Sequence, residues 1–371
     1  MCAYCDFVTV GGRLADLPRY VAALLTELAL RPAPGTLSTI YLGGGTPSLL
    51  SAGDVGRIVE AAQERWRGRA ALEEVTLEAN PSARERPDWR GLAAAGVTRL
   101  SLGVQSLRDA DLRALARGHD AAEARDAYRG ARSAGFASVS LDLIYAIPGQ
   151  SLAEWRDGLR EAIAFAADHL SLYALQLVLE PDEWAARPRP GALRWRTRMA
   201  AGQDEALAAD QYLLAEELLE AAGYRHYELS SWARPGHEAR HNLAYWLRRP
   251  YTGIGAGAHS YDGLSRRAWN GGDLDAYLSA LADGRLPPHD GEKLGERERA
   301  LEAVALGLRL VDGLDRDAFA TEFGNDPLDR YAAAVEEGTA RGLLTANGGR
   351  LRLTARGRLL ANEALAAFVQ P

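Results

Sequence analysis

Hydrophobic and polar positions follow two alternating periods along the first half of the chain. Short runs of β-branched and apolar residues indicate strands over 39–42, 75–78, 99–104, 138–144 and 169–177. Between them, apolar residues recur at the spacing of amphipathic helices. These helical segments cover 51–66, 87–95, 108–116, 120–134 and 151–167. The first 180 residues are therefore predicted to consist of repeated strand–helix units.

Residues typical of helix ends flank several of the helical segments. The expected N-caps are Ser51, Asp109 and Ser151. Gly96 and Gly135 follow helical segments and are expected to end them. Repeated strand–helix units with right-handed crossovers require a parallel sheet, either open or closed into a barrel. In such barrels the chemistry lies at the carboxyl ends of the strands.

The second half of the chain has a different organisation. Residues 181–200 are rich in proline and arginine and are expected to form a linker or an irregular excursion. A helix is predicted at 203–222, followed by a stretch rich in glycine and histidine from 236 to 263. From about 292 onward, helices at 296–310, 315–322 and 327–341 precede a hairpin through 347–349 and a last helix at 355–368. This order predicts a small winged-helix-like module.

Composition and charge exclude several classes of protein. The 371 residues are 47% hydrophobic and 25% charged, the balance of an ordinary globular protein, and the net charge is −7. Winged helices often bind DNA, but the acidic total and the lack of a basic recognition face favour a packing or partner module over a nucleic-acid binder. No apolar run is long enough for a transmembrane segment, and the first residues lack the pattern of a secretory signal. We therefore expect a cytoplasmic protein.

The only two cysteines form a Cys-x-x-Cys motif at Cys2 and Cys5. A redox pair of this type normally follows a strand, and a zinc site would need two further ligands. An iron–sulfur cluster, whose irons prefer thiolate ligands, is the third interpretation. The motif alone leaves these three alternatives open, together with two incidental thiols.

Glycines and polar residues follow several predicted strands, where the carboxyl ends of the strands meet. The segments are Gly43-Gly44-Gly45-Thr46-Pro47-Ser48, Glu78-Ala79-Asn80-Pro81, Ser101 to Ser106, and Leu141 to Gly149. Consecutive glycines let the backbone approach a ligand closely with free N–H groups. Any one segment is consistent with a tight turn or a cap, but the four together indicate a cofactor site.

These motifs, in this order, resemble the radical S-adenosylmethionine proteins, in the branch of oxygen-independent coproporphyrinogen III oxidase. The resemblance covers essentially the whole chain and implies an α/β fold, a partial (β/α)6-type barrel with a C-terminal α-helical, winged-helix-like module. It also implies a [4Fe-4S] cluster held by three cysteines. Cys2 and Cys5 match the second and third of these, and the first would fall upstream of Met1. We expect an N-terminal truncation; the alternative is a true loss that leaves a site unlikely to retain the cluster.

The resemblance further assigns roles in binding S-adenosylmethionine. Gly44, Gly45 and Thr46 would contact its amino-acid end or the surroundings of the adenine. Glu78 would accept a charge-assisted hydrogen bond from its ammonium group. The remaining contacts would be Gln105 and Asp142 near the ribose hydroxyls, and Arg117, on a following helix, at the carboxylate.

A second motif distinguishes two branches of this family. The segment from His241 and Asn242 to Tyr245 and Trp246 resembles the His-Asn-x-x-Tyr-Trp motif of haem chaperones that share the oxidase fold. A histidine beside aromatic residues is more often a packed core residue than a ligand, but in this family it implies haem binding. Asp6-Phe7 also stands where the oxidase has Gly-Cys after the third cysteine.

The sequence therefore predicts a haem chaperone that passes haem to recipient haemoproteins, supported by the cluster, S-adenosylmethionine and an electron donor. The alternative is an oxidase that decarboxylates the propionates of coproporphyrinogen III, so whether the chain is an enzyme stays open. Three parts are expected: the radical S-adenosylmethionine barrel at 1–180, a barrel extension with the haem or porphyrin region at 181–290, and the C-terminal module at 291–371.

Overall fold

A seven-stranded curved sheet forms the centre of the molecule. The computed structural model describes residues 3–5, 8–33, 35–66, 72–82, 85, 87–177, 179 and 191–369. The strands, in chain order, are β1 Thr39–Leu42, β2 Glu74–Ala79, β3 Arg99–Gln105, β4 Ser138–Tyr145, β5 His169–Ala174, β6 Arg225–Glu228 and β7 Ser231–Ala233. Strands β1 to β5 are parallel neighbours in sequence order, and the antiparallel pair β7 and β6 extends the sheet beyond β5. The predicted α/β partial barrel is confirmed.

Six helices accompany the parallel strands. They are α1 Leu17–Leu30, α2 Ala52–Arg65, α3 Trp89–Ala94, α4 Asp109–Ala114, α5 Ala121–Ala134 and α6 Leu152–Ala164. Ser51 and Ser151 accept hydrogen bonds from backbone N–H groups in the first turns of α2 and α6, as predicted. Gly135 ends α5 in the left-handed conformation, with φ 88°, which a side chain would strain.

The predictions for Asp109 and for residues 191–200 are wrong. Arg108, not Asp109, is the extended residue before α4, and the carboxylate of Asp109 accepts a hydrogen bond from the backbone N–H of Ala121 instead. Residues 191–200 are not irregular, because α7 occupies Ala192–Ala200. Residues 181–190 of the expected linker lie outside the described parts of the chain.

The two faces of the sheet differ in polarity because side chains alternate along each strand. One face is apolar and packs against helices, and its buried residues include Leu77, Leu100, Leu102, Leu141 and Leu170. The opposite face carries polar side chains at the intervening positions. Register aligns Glu78 with Ser101 and Asp142 with Ser171 on this polar face. The polar face ends at the carboxyl edge where the candidate motifs lie.

The remaining elements form two further parts. Beside the sheet lie α8 Glu205–Ala221, α9 Arg240–Trp246, α10 Leu274–Ala282, and an antiparallel sheet of β8 His259–Tyr261, β9 Arg266–Asn270 and β10 His289–Lys293. The C-terminal module contains α11 Glu296–Gly307, β11 Leu314–Asp315, α12 Arg316–Phe323, α13 Pro327–Arg330, α14 Ala332–Ala340, β12 Leu344–Asn347, β13 Arg350–Leu353, α15 Ala355–Leu359 and α16 Ala361–Val369. It has its own apolar core, and its hairpin turns at Gly348 and Gly349, both with positive φ. None of the helices in the described ranges combines the length and apolar character needed to cross a membrane.

A buried carboxylate ties the glycine-rich stretch near residue 255 to the first helix. Glu27, which is fully buried, accepts hydrogen bonds from Arg31, Asn270, Tyr277 and the backbone N–H of Gly255. A charge removed from water in this way is tolerated only when it is paired and hydrogen-bonded. The network therefore fixes this loop against α1.

Candidate functional site

Glu78 lies at the carboxyl end of β2 beside the glycine-rich loop that follows β1. The Tyr41 hydroxyl donates to Oε1 of Glu78 at 2.6 Å, and the backbone N–H of Gly44 donates to Oε2 at 3.1 Å. A Cβ at Gly43 would collide with the Tyr41 ring and lie 2.9 Å from the Glu78 carboxylate, so this position requires glycine. Burial raises the pKa of Glu78 and the nearby Asp142 charge adds to this effect, against the two hydrogen bonds.

The glycine-rich loop leaves its backbone accessible. Gly43, Gly44 and Gly45 are all exposed. No described atom lies within 4 Å of a Cβ placed at Gly44 or Gly45. A carboxylate beside exposed glycine backbone suits a ligand that carries both an ammonium and a carboxylate. The residues present here therefore fit the amino-acid end of S-adenosylmethionine.

Arg117 connects three neighbouring segments of this edge. Its Nη2 donates to Oδ1 of Asn80 at 2.8 Å and to the Gly103 carbonyl at 3.0 Å, and its Nη1 donates to the Tyr4 hydroxyl at 3.3 Å. Asn80 in turn donates to Oγ1 of Thr46 at 3.2 Å. Arg117 does not lie on a helix as expected, because α4 ends at Ala114 and Arg117 falls in the connection to α5. The loop nevertheless brings its guanidinium to the predicted edge.

Gln105 and Asp142 lie on the two strands beyond β2. Gln105 has φ 67°, a conformation unusual for a residue with a side chain, and a Cβ at Gly103 would lie 2.9 Å from its amide nitrogen. Asp142 accepts hydrogen bonds from Ser101 at 2.8 Å and Ser140 at 3.3 Å. Burial raises the pKa of Asp142 although these hydroxyls favour the ionised form. We call Gly43 to Thr46, Glu78, Gln105, Arg117 and Asp142 the strand-edge site.

The predicted iron–sulfur ligands cannot be placed together. Cys2 lies outside the described residues, whereas Cys5 is half-buried. The buried Arg196 donates to the carbonyl of Ala3 at 2.9 Å and to that of Cys5 at 3.4 Å, which holds this short segment against α7. Within the described ranges, no group of three or more His, Cys, Asp or Glu side chains could hold a metal ion. Cys2 and Cys5 do not by themselves supply the three thiolates that the resemblance implies for the cluster.

His241 lies in the first turn of α9 and is held on both of its ring nitrogens. A hydrogen bond of 2.8 Å joins Nδ1 to Oγ1 of Thr39, and another of 2.8 Å joins Nε2 to the Tyr245 hydroxyl. The ring stacks on Tyr41 with a centroid distance of 5.0 Å. Burial lowers the pKa of His241 to about 4, although the charge of Glu74 opposes this shift. The imidazole is therefore neutral near pH 7.

The rest of α9 is fixed by contacts at both ends. Glu74 accepts hydrogen bonds from the backbone N–H groups of Arg240 at 3.1 Å and His241 at 3.0 Å. The Arg309 guanidinium lies 4.2 Å from the centroid of the Trp246 ring, whose buried indole nitrogen has no hydrogen-bond partner among the described residues. Asn242 is half-buried. We call residues 240–246 the α9 segment.

The residues that connect His241 to the sheet, Thr39, Tyr41 and Glu74, were not predicted from the sequence as site residues. All three lie on β1 or β2 at positions that alternate with apolar residues. Tyr41 links the two regions, since its ring stacks on His241 and its hydroxyl donates to Glu78. The strand-edge site and the α9 segment are therefore neighbours.

Family models match two parts of the chain. The radical SAM superfamily matches residues 1–162, and the HemN C-terminal domain matches residues 294–360. Among solved structures, coproporphyrinogen III oxidase (HemN) from Escherichia coli aligns with a TM-score of 0.81 over 99% of this chain and 87% of that chain, at 23% identity. The chain is thus a radical SAM protein that has the fold of HemN.

Curated relatives narrow the assignment. The heme chaperone HemW of Mycobacterium tuberculosis is 39% identical, with 97% of this chain and 90% of the relative covered. The HemW proteins of Escherichia coli and Bacillus subtilis are 34% and 31% identical, with 99% and 100% of this chain and 94% and 96% of the relatives covered. The chain belongs to the HemW family.

Proposed function

We propose that this protein is a cytoplasmic haem chaperone that binds haem at the α9 segment and passes it to recipient haemoproteins. The relatives named as heme chaperones support this proposal over nearly their whole length. The observation that carries it is the position of His241, a neutral imidazole on a short helix at the edge of the barrel. A neutral imidazole nitrogen is an ordinary axial ligand of haem iron.

The neighbouring side chains suit a porphyrin. Tyr245 and Trp246 supply aromatic surface, and the buried indole N–H of Trp246 has no hydrogen-bond partner among the described residues. Asn242 lies next to the proposed iron ligand. In this proposal haem is cargo, so it binds and leaves without a covalent change.

The strand-edge site is proposed to bind S-adenosylmethionine and to support or regulate the transfer. Membership of the radical SAM superfamily implies this cofactor and a [4Fe-4S] cluster. Glu78 would accept a hydrogen bond from the ammonium group, and Arg117 would bind the carboxylate. Gly44, Gly45 and Thr46 would contact the amino-acid end. Gln105 and Asp142 would serve the ribose hydroxyls. No step is assigned to the cluster, because Cys2 and Cys5 do not complete its ligands.

Titration with haem tests the proposal directly. The wild-type chain is expected to take up about one haem, followed by its Soret absorbance, and His241→Ala is expected to weaken binding at least tenfold. His259→Ala, at an exposed histidine that stacks on Trp269, is the matched control and should bind as the wild type does. Delivery to a haem-free acceptor protein is measured in the same samples.

Two results would overturn this proposal. The first is equal haem affinity of the wild type and His241→Ala. The second is conversion of coproporphyrinogen III to protoporphyrinogen IX under anaerobic reducing conditions, followed by fluorescence after oxidation. The second result would support the oxidase that shares this fold.

A further inference from the structure

We propose that the hydroxyls of Thr39 and Tyr245 control haem binding at His241: Thr39 fixes the ring with the proton on Nδ1, and Tyr245 caps the iron-binding Nε2. Thr39 is thus a positioning residue, and Tyr245 is a cap that must move before iron binds. The inference rests on the proposed haem site and deepens it by naming the atom that binds iron.

The geometry holds the imidazole in one orientation. Both ring nitrogens make hydrogen bonds of 2.8 Å, to Thr39 on one side and to Tyr245 on the other. The Tyr41 ring covers one face at a centroid distance of 5.0 Å, with an interplanar angle of 26°. A flip of the ring would exchange the two nitrogens between unlike partners. The orientation is therefore set by residues of β1 and by the helix itself.

The proton positions follow from the chemistry of the two hydroxyls. A neutral imidazole has one N–H donor and one lone-pair acceptor. A phenol is a stronger acid than an aliphatic alcohol, so Tyr245 is the better donor, and burial raises its pKa so that it keeps its proton. Tyr245 therefore donates to Nε2 of His241. Nδ1 then carries the ring proton and donates to Oγ1 of Thr39.

This arrangement explains the spacing within the motif. Residues four apart on a helix are neighbours on its surface, so Tyr245 reaches His241 one turn away. Its ring meets Tyr251 edge to face at a centroid distance of 4.7 Å, which supports the side chain from outside the helix. The lone pair that iron needs is consequently occupied in this conformation.

Haem binding at Nε2 exchanges one interaction for another. The O–H···N hydrogen bond from Tyr245 breaks, and the Nε2 lone pair forms the bond to iron. The ring proton stays on Nδ1, where its hydrogen bond to Thr39 strengthens the imidazole as a ligand. No proton, electron or leaving group needs to be supplied.

Conservative variants separate the two roles. Tyr245→Phe removes the cap and keeps the ring, so haem association, measured by stopped-flow Soret absorbance, is expected to be about fivefold faster, the worth of one neutral hydrogen bond. Tyr251→Phe, which leaves the bond between Tyr245 and His241 in place, is the matched control and should leave the rate unchanged.

Thr39→Val removes the acceptor for Nδ1 and is expected to weaken haem binding about fivefold and to lower the iron–histidine stretching frequency of the ferrous complex in resonance Raman spectra. Thr39→Ser keeps the hydroxyl and should restore both values. The frequency reports on the iron ligand itself, so a merely structural role for Thr39 would not move it.

The inference is overturned if Tyr245→Phe binds haem no faster than Tyr251→Phe, or if Thr39→Val keeps the wild-type frequency. If the proposed function itself is wrong, the observation is different: His241→Ala leaves haem binding unchanged. Circular dichroism of each variant establishes that it is folded. If Thr39→Val does not fold, the comparison of Tyr245→Phe with Tyr251→Phe decides alone.

Discussion

The strand-edge site and the α9 segment are neighbours, but they meet their ligands in different states. At the strand edge, glycine backbone is exposed and the Glu78 carboxylate lies beside it. In the α9 segment, both nitrogens of His241 and its backbone N–H already have partners within the chain. The exposed glycines could meet the proposed ligand directly, although Glu78 and Arg117 already have partners within the chain. At the proposed haem site, His241 would have to release a hydrogen bond before iron binds.

The two regions also respond to pH in opposite directions. Burial disfavours charge in both, so it raises the pKa of Glu78 and Asp142 and lowers that of His241. The free-energy cost of burying ionised carboxyl groups is present at neutral pH and disappears in acid, where they are protonated. The cost of burying a charged histidine arises only when the pH falls. Lowering the pH is therefore expected to destabilise the folded α9 segment and to remove the cost of buried charge at the strand-edge site.

The largest expected effect comes from removing the support of α9. Glu74→Ala leaves the backbone N–H groups of Arg240 and His241 without their buried acceptor, which is expected to lower the free energy of unfolding by about 3 kcal/mol. Urea denaturation measures this loss. Glu73→Ala removes an exposed partner of the Arg240 side chain and should cost less than about 1 kcal/mol. Equal losses in the two variants would contradict this account of α9.

The second-largest expected effect is the loss of stability at His241 when the pH is lowered. The folded pKa of His241 is about 4, below the ordinary 6.5, so the unfolded chain binds the proton first as the pH falls. The contribution of His241 to the free energy of unfolding is fully present above pH 6.5 and is lost as the pH falls toward 4. Between pH 7 and pH 5 the loss is about 2 kcal/mol. His119 and His169 shift in the same direction, so the relevant quantity is the difference from His241→Gln. Identical pH profiles of the two proteins would refute the prediction.

A third experiment tests whether the strand edge binds its ligand independently. Glu78→Gln removes the charge that would attract an ammonium group and is expected to weaken S-adenosylmethionine binding about 20-fold, measured by calorimetry. Haem affinity should change less than about twofold, the spread of a silent substitution. Glu73→Gln, at the exposed residue just before β2, is the control. A parallel loss of haem binding in Glu78→Gln would show that the two sites are not separable.

The smallest effect is expected at Asp142. An asparagine there would keep an acceptor for Ser101 and avoid burying a charge, so Asp142→Asn is expected to stabilise the fold by about 1 kcal/mol at pH 7. The gain should vanish in acid, where the carboxyl group of the wild type is protonated. Urea midpoints at the two pH values measure it. A loss of stability at pH 7 would indicate that the ionised carboxylate has a structural role.

Local patterns predicted the strands and helices of the barrel well, because alternation and helical spacing are properties of adjacent residues. Helix α1 was not predicted, although Val21, Leu24 and Leu28 carry the helical spacing and are buried. The C-terminal hairpin was predicted from its glycines, and the structure confirms it.

The environment of the α9 segment could not be predicted in the same way. Thr39 and Glu74 are about 200 and 170 residues from His241 in sequence, and only the packing of α9 against β1 and β2 brings them together. The motif predicted which residues bind haem, and this stays a prediction; it did not indicate that the ring nitrogens of His241 are already paired within the chain. The cluster ligands stay a prediction, because Cys2 lies outside the described residues.

Helix α9 has seven residues, too few to be stable in water without outside contacts. Its conformation depends on β1 and β2 at one end and, through Arg309 against Trp246, on the C-terminal module at the other. Any protein that docks on the module and shifts Arg309 would loosen the helix from a distance. The stability of this helix is therefore set jointly by the first two strands and the C-terminal module.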